Sequence, residues 1–257
     1  MSDGARGHKA TPASNIRSSS VRGHTLFIGH FAVGFAAKAA APRASLGTLF
    51  LAAQFIDLLW PTLLLLGVER VQIAPGITRM TPLNFEHYPV SHSLVTVLGW
   101  GVGFALVHQW QRRDWRTATV LGLAVVSHWV LDLIVHRPDL PLWPGSSPMM
   151  GLGLWSSVHA TLALELTLFG FGVWLYLRAT RARDAAGKWA LRGLVGFLLA
   201  VYFASVFGEP PPSVAVIAWV GQTQWLLIAW GYWIDRHREV RHGPPSNPEH
   251  MPTPFAS

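Results

Sequence analysis

Long apolar runs alternate with short polar loops along this chain, and that rhythm constrains the fold more than any other feature. Seven runs stand out: Leu26–Ala41, Leu46–Val68, Ser91–Trp110, Thr117–Val135, Leu152–Leu177, Trp189–Phe207 and Val214–Ile234. Most approach the ~20 residues that a helix needs to cross a bilayer core. Only 13% of the residues are charged, about half the share usual in a soluble domain. The expected fold is therefore all-α: a polytopic transmembrane helical bundle of six or seven membrane segments, one domain over residues 24–236. The flanking stretches, 1–23 and 237–257, read as disordered tails, and the first lacks the apolar core of a cleavable signal.

Loop charge sets the orientation. Arg112, Arg113 and Arg116 follow the third run, Arg178, Arg181, Arg183 and Lys188 the fifth, and Arg236, Arg238 and Arg241 the seventh. The alternate loops are poorer in basic residues and rich in Pro and Gly. The basic loops are expected in the cytoplasm, with the C-terminus inside a multi-pass protein of the inner (plasma) membrane. Seven spans would put the basic N-terminal tail outside, whereas six, with a re-entrant or partly buried first run, would keep it inside. The net charge of +7 is spread over these loops, which argues for membrane orientation and against a nucleic-acid surface. There is no cysteine, so thiolate chemistry and Cys-based zinc or iron–sulfur sites are excluded.

Against this background, ionisable residues inside or beside apolar runs are conspicuous. An Asp near the middle of a spanning helix costs roughly 2.5–3.5 kcal/mol on insertion scales, so such residues face the bundle interior and mark function. His128, Asp132 and His136 recur at i, i+4 and i+8 and share one face of a helix. About 12 Å of axis separates His128 from His136, too far for all three to hold one ion. His87 and His92 flank Pro89 at the entry to the third run, where Ser91 is placed to cap the helix. Asp57 lies midway through the second run, with Pro61 one turn beyond to open the backbone. His30 sits in a Gly- and Ala-rich first run, and Glu165 is deep in the fifth. Lys38 is expected to snorkel, and Arg137 with Asp139 to form an exposed loop pair.

In order, Gly29–His30, the acidic Asp57, the segment H-Y-P-V-S-H-S at His87–Ser93 and H-x-x-x-D at His128–Asp132 resemble the membrane-bound metal-dependent hydrolases. These are small bacterial inner-membrane proteins distantly similar to zinc-dependent phospholipase C-like enzymes, with a pattern near T-H, P-D-x-D, H-R-x-x-T-H-S, then H-x-x-x-D. The resemblance covers about residues 24–140. Here the paired acids reduce to Asp57 alone, Tyr88 stands for the Arg, and Ser91 for the Thr. It implies a metal site at His30, Asp57, His87, His92, His128 and Asp132.

The expectation is thus a His/Asp metal centre in the outer half of the bundle, to which His136 is a further candidate ligand. The ion would be divalent, zinc first, with manganese or iron also suited to such ligands. An enzyme built on it would be a hydrolase of a lipid-like or phosphoester substrate drawn from membrane lipid, with Asp57, Asp132 or Glu165 taking the proton. The rival expectations are a transporter or channel-like protein using the same acids and histidines as an ion or proton pathway, and a non-catalytic membrane scaffold.

Overall fold

The computed structural model describes residues 28–241; both expected tails, apart from the start of the second, lie outside the described residues. The first run forms α1, Ile28–Ala40. At 13 residues it is about 20 Å long, short of the ~30 Å hydrocarbon core, and it is enclosed by its neighbours. The second run does not stay one helix. It forms α2, Leu46–Ala53, capped by Ser45, and α3, Phe55–Leu65, bent from each other by 56° at Gln54. An antiparallel ribbon of β1, Arg70–Ile73, and β2, Leu83–His87, covers the loop that follows.

Next come α4, Leu94–Arg112, and α5, Trp115–Val135. Ser93, not Ser91, caps α4 by accepting from the amide of Thr96; Ser91 is used elsewhere. The two helices approach closely where Gly101 faces Gly122 backbone to backbone, the small-residue packing that lets helices meet without a hydrophobic drive. A two-residue pairing of β3, Leu140–Pro141, with β4, Met149–Met150, follows α5. The fifth run is α-helical only from α6, Val158–Ala179; before it Gly151 and Gly153 turn the chain with positive φ and Leu154–Ser156 forms one short 3-10 turn. Then come β5, Thr180–Ala182, and α7, Ala185–Phe207. The seventh run divides at Thr223 into α8, Val214–Gln222, and α9, Gln224–Arg236, and β6, Arg238–Val240, pairs with β5. That last strand falls in the stretch expected to be tail.

Among the described residues, four helical segments are long and apolar enough to cross a membrane, α5, α6, α7 and the α8–α9 pair, or five if the bent α2–α3 pair is one span. A sixth would need α4, whose last turns carry His108, Gln109, Gln111 and Arg112, and a seventh would need α1 as well, so the expected six or seven spans are not confirmed among the described residues. The helices sort their polar residues to two ends. At one end Lys38 is buried rather than snorkelling: it donates to the carbonyl of Ala44 at 2.7 Å and pairs with Asp235 at 3.0 Å. The Arg-rich loops gather there, tied by Arg116 to the carbonyl of Ala40 and by the β5–β6 pairing. At the opposite end lie the start of α1, the start of α4 and the last turns of α5.

Candidate metal centre

Five side chains from four helical segments or their entries converge at that second end. His30 comes from the first turn of α1, Asp57 from the first turn of α3, His92 from just before α4, and His128 and Asp132 from α5. The carboxylate of Asp132 stands between three imidazoles: Oδ1 is 3.2 Å from Nε2 of His30, and Oδ2 is 3.3 Å from Nε2 of His128 and 3.7 Å from Nε2 of His92. Asp57 Oδ1 is 3.5 Å from Nε2 of His128 and 3.9 Å from Nε2 of His92. The rings of His30 and His128 stack at 3.7 Å. Two overlapping sets result, His30–His128–Asp132 and Asp57–His92–His128, each with ligand atoms within 4.8 Å of one another.

Local irregularities in the chain place these groups. The break at Gln54 ends α2 and leaves the carbonyl of Ala53 to accept from Nδ1 of His128 at 3.1 Å. That bond fixes the tautomer and leaves the Nε2 lone pair for the centre. Pro61 has no N–H, so the carbonyl of Asp57, four residues earlier, lacks its helical partner. Gln224, just past the α8–α9 break, donates to it at 3.2 Å. Gly221 of α8 lies against the ring of Pro61, with no room for a Cβ. Both broken helices are thus locked together beside Asp57, where irregular backbone is tolerated because it lines a cavity.

His92 is oriented by two residues whose roles the sequence did not announce. Its Nδ1 lies 2.6 Å from Oγ of Ser91, which donates to Oε2 of Glu69, also at 2.6 Å. Since the hydroxyl hydrogen goes to the carboxylate, Nδ1–H of His92 donates to Ser91 and Nε2 is again left as an acceptor. Glu69 further accepts from the amides of Val90 and Ser91, both at 2.8 Å. Burial raises its carboxyl above the usual range, opposed by these hydrogen bonds. The available signal was a lone acid directly after an apolar run.

The remaining candidates separate. His87 is exposed at the end of β2, apart from the centre. His136 caps the C-terminus of α5 and is buried, but belongs to neither ligand set. It lines the cavity over the centre, with its Nδ1 2.9 Å from Oδ1 of Asp139. Asp139 is therefore no exposed loop acid: it is 8% exposed and also takes hydrogen bonds from the hydroxyl of Tyr88 and from Arg137. Its position three residues after a helix-ending His was the signal. Glu165 is buried beside Tyr202 and the start of α1, off the cavity wall, and its Oε2 has no hydrogen-bond partner among the described residues.

The donor set suits a divalent cation. Tetrahedral ligands held 2.0–2.1 Å from zinc lie about 3.3 Å from one another, the separation seen between His128 Nε2 and Asp132 Oδ2. Both of those atoms are fully buried and have no hydrogen-bond partner among the described residues. Buried polar atoms are otherwise nearly always satisfied, and an ion between them would satisfy both at once. Comparison with family models, with curated proteins and with solved structures returns no match. The case for a site therefore stands on this geometry.

Proposed function

We propose that the protein is a membrane-embedded, metal-dependent hydrolase acting on an ester or phosphoester of a lipid-like molecule. The observation that carries the reading is the pair of buried atoms, Nε2 of His128 and Oδ2 of Asp132, 3.3 Å apart and without a hydrogen bond among the described residues, inside a cage of three imidazoles and two carboxylates. The order of these residues along the chain, and its resemblance to the membrane-bound metal-dependent hydrolases, support it. We assign His30, Asp57, His92, His128 and Asp132 as ligands of a divalent ion, zinc first, with manganese or iron compatible. The protein would reside in the inner membrane with its Arg-rich end and C-terminus in the cytoplasm, which sets the centre in the outer half.

Such an ion supplies Lewis-acid polarisation of the ester and acidification of water. The chain's own residues do the rest. Ala53 and the Ser91–Glu69 pair hold His128 and His92 with Nε2 facing inward. Asp57, less buried than Asp132, faces the cavity where substrate would arrive. His136, steadied at Nδ1 by Asp139, serves the cavity with its other nitrogen. In hydrolysis the water oxygen bonds to the phosphorus or acyl carbon and the ester bond to the alkoxide breaks. The proton released by water passes to Nε2 of His136 and on to the departing alkoxide. In this reading His136 takes the proton-moving role for which the sequence alone offered Asp57, Asp132 or Glu165.

The test is metal analysis and turnover on one purified sample. About one or two zinc per chain, with cleavage of a chromogenic phosphodiester that a chelator abolishes and zinc restores, is the expected result. Stoichiometric metal with no cleavage of any ester, together with ion flux in proteoliposomes, would replace the hydrolase by a transporter.

A further inference from the structure

We propose that the cavity over the metal centre is a site for one hydrocarbon chain of a membrane amphiphile, which enters sideways between α7 and the α8–α9 pair and so presents its ester to the centre. The assignment rests on the hydrolase reading for what happens at the centre, but not for what fills the cavity.

The cavity has a volume of about 710 Å³, within the roughly 300–1,000 Å³ of sites that enclose a small molecule. Its chemistry is divided. One end is made by His30, Asp57, His92, Asp132 and His136; the walls beyond are almost wholly apolar. Four residues of α7 line it, Phe197, Val201, Ala204 and Ser205. Their spacing of i, i+4, i+7 and i+8 is one helical stripe about 12 Å long, parallel to the helix axis. A slot running along a spanning helix has the direction of a lipid chain.

The mouth is on the same side. Val216, Val220 and Leu226 line the cavity yet are 38%, 58% and 69% exposed, so it opens where α8 and α9 meet their surroundings. Those helices and α7 are candidate spans, so the opening faces hydrocarbon rather than water. Water inside would find few hydrogen-bond partners on these walls, and an apolar cavity does not hold it well. A chain entering from the bilayer meets no such penalty. A polar, water-soluble substrate would have to cross the apolar walls with its hydrogen bonds unmet. The occupant that fits is therefore an amphiphile whose polar ester is attached to at least one long chain.

The experiment uses the full chain in phosphatidylcholine nanodiscs and a phosphodiester bearing a single alkyl chain with a diazirine at its midpoint. After photolysis, label on the cavity-lining peptides of α7 and α8 is compared with label on the outward face of α6, at Phe171 and Trp174, which lie off the cavity and report lipid contact alone. Enrichment of about tenfold at the cavity is expected, falling to parity in Val201→Trp, with metal content unchanged. Ile217→Trp fills the slot from the opposite wall and serves if the first variant does not fold. Equal labelling of both faces in the parent protein, or undiminished label in a folded filled variant, overturns the proposal. Cavity label in a protein that binds no metal would sink the hydrolase reading and leave the chain site standing; metal and turnover with evenly spread label would do the reverse.

Discussion

Replacing Asp132 by Asn separates a metal centre from a hydrogen-bonded cluster, because the change keeps the shape and removes only the charge. Asp132 touches three of the four other proposed ligands, and its side chain is 6% exposed. Losing even an outer-sphere partner of a metal ligand weakens binding about 10–100-fold, so loss of this carboxylate should reach at least the hundredfold end. With zinc held at 100 times the parent's Kd, the parent is stabilised by about 2.7 kcal/mol and the variant by about 0.4 kcal/mol. The zinc-dependent difference is then ~2.3 kcal/mol, or ~5–9 °C in Tm for a domain of this size. Without metal the expectation is different. Asn leaves neutral imidazoles behind rather than an orphaned charge, so the variant should melt close to the parent, since it avoids burying a carboxylate. The assay is thermal unfolding in detergent with zinc and with chelator. A deficit of the same size in both conditions would refute the metal centre and support a purely structural hydrogen-bond cluster.

Other changes probe the supports of the site and the bundle. Ser91→Ala breaks the link from Glu69 to His92 and should weaken zinc binding about 10–100-fold while the fold persists; unchanged affinity in a zinc titration would remove the positioning role. Gly172→Ala places a Cβ against the backbone of Ala32, where α6 crosses α1, and should cost about 1–3 kcal/mol; a parent-like melting curve would show the crossing to be slack. Asp184 caps α7, and the hydrogen bond from His237, then the amide of Gly187, hold its carboxyl below the ordinary 3.8. A lowered folded pKa stabilises above 3.8 and is lost as pH falls through the lowered value. Asp184→Asn should therefore destabilise at neutral pH and match the parent in strong acid; a pH-independent gap between their Tm values would contradict this.

The bundle and most of the centre were legible because lipid makes polar residues informative. His30, Asp57, His92, His128 and Asp132 stood out as ionisable groups in apolar runs, and the i, i+4 spacing of His128 and Asp132 places both on one face in the structure. Periodicity could not reveal that Leu46–Val68 and Val214–Ile234 each break. Gln54 and Thr223 are ordinary residues locally, and only tertiary hydrogen bonds make a break tolerable there. His87 and His136 were not separable from the ligands by spacing, since a loop His and a helix-ending His carry the same side chain. Glu69 and Asp139 lay in loops, where an acid carries no penalty, so their signal was positional alone: directly after an apolar run, and three residues after a helix-ending His.

The breaks and the centre explain one another. A continuous α2–α3 helix would use the carbonyl of Ala53 internally, and His128 would lose the bond that turns its Nε2 inward. A regular turn at residue 61 would use the carbonyl of Asp57, and Gln224 would lose its anchor on α3. Each irregularity frees one backbone acceptor, and each acceptor is taken by a side chain that fixes a ligand or the helix pair forming the cavity's far wall. Straight helices would pack more simply but leave the imidazoles free to rotate. The second break also brings Gly221 against Pro61 beside the apolar slot. The same distortion that seats Asp57 at the centre therefore shapes the path by which a chain would reach it, and this makes the α8–α9 pair part of the site although no residue in it is a proposed ligand.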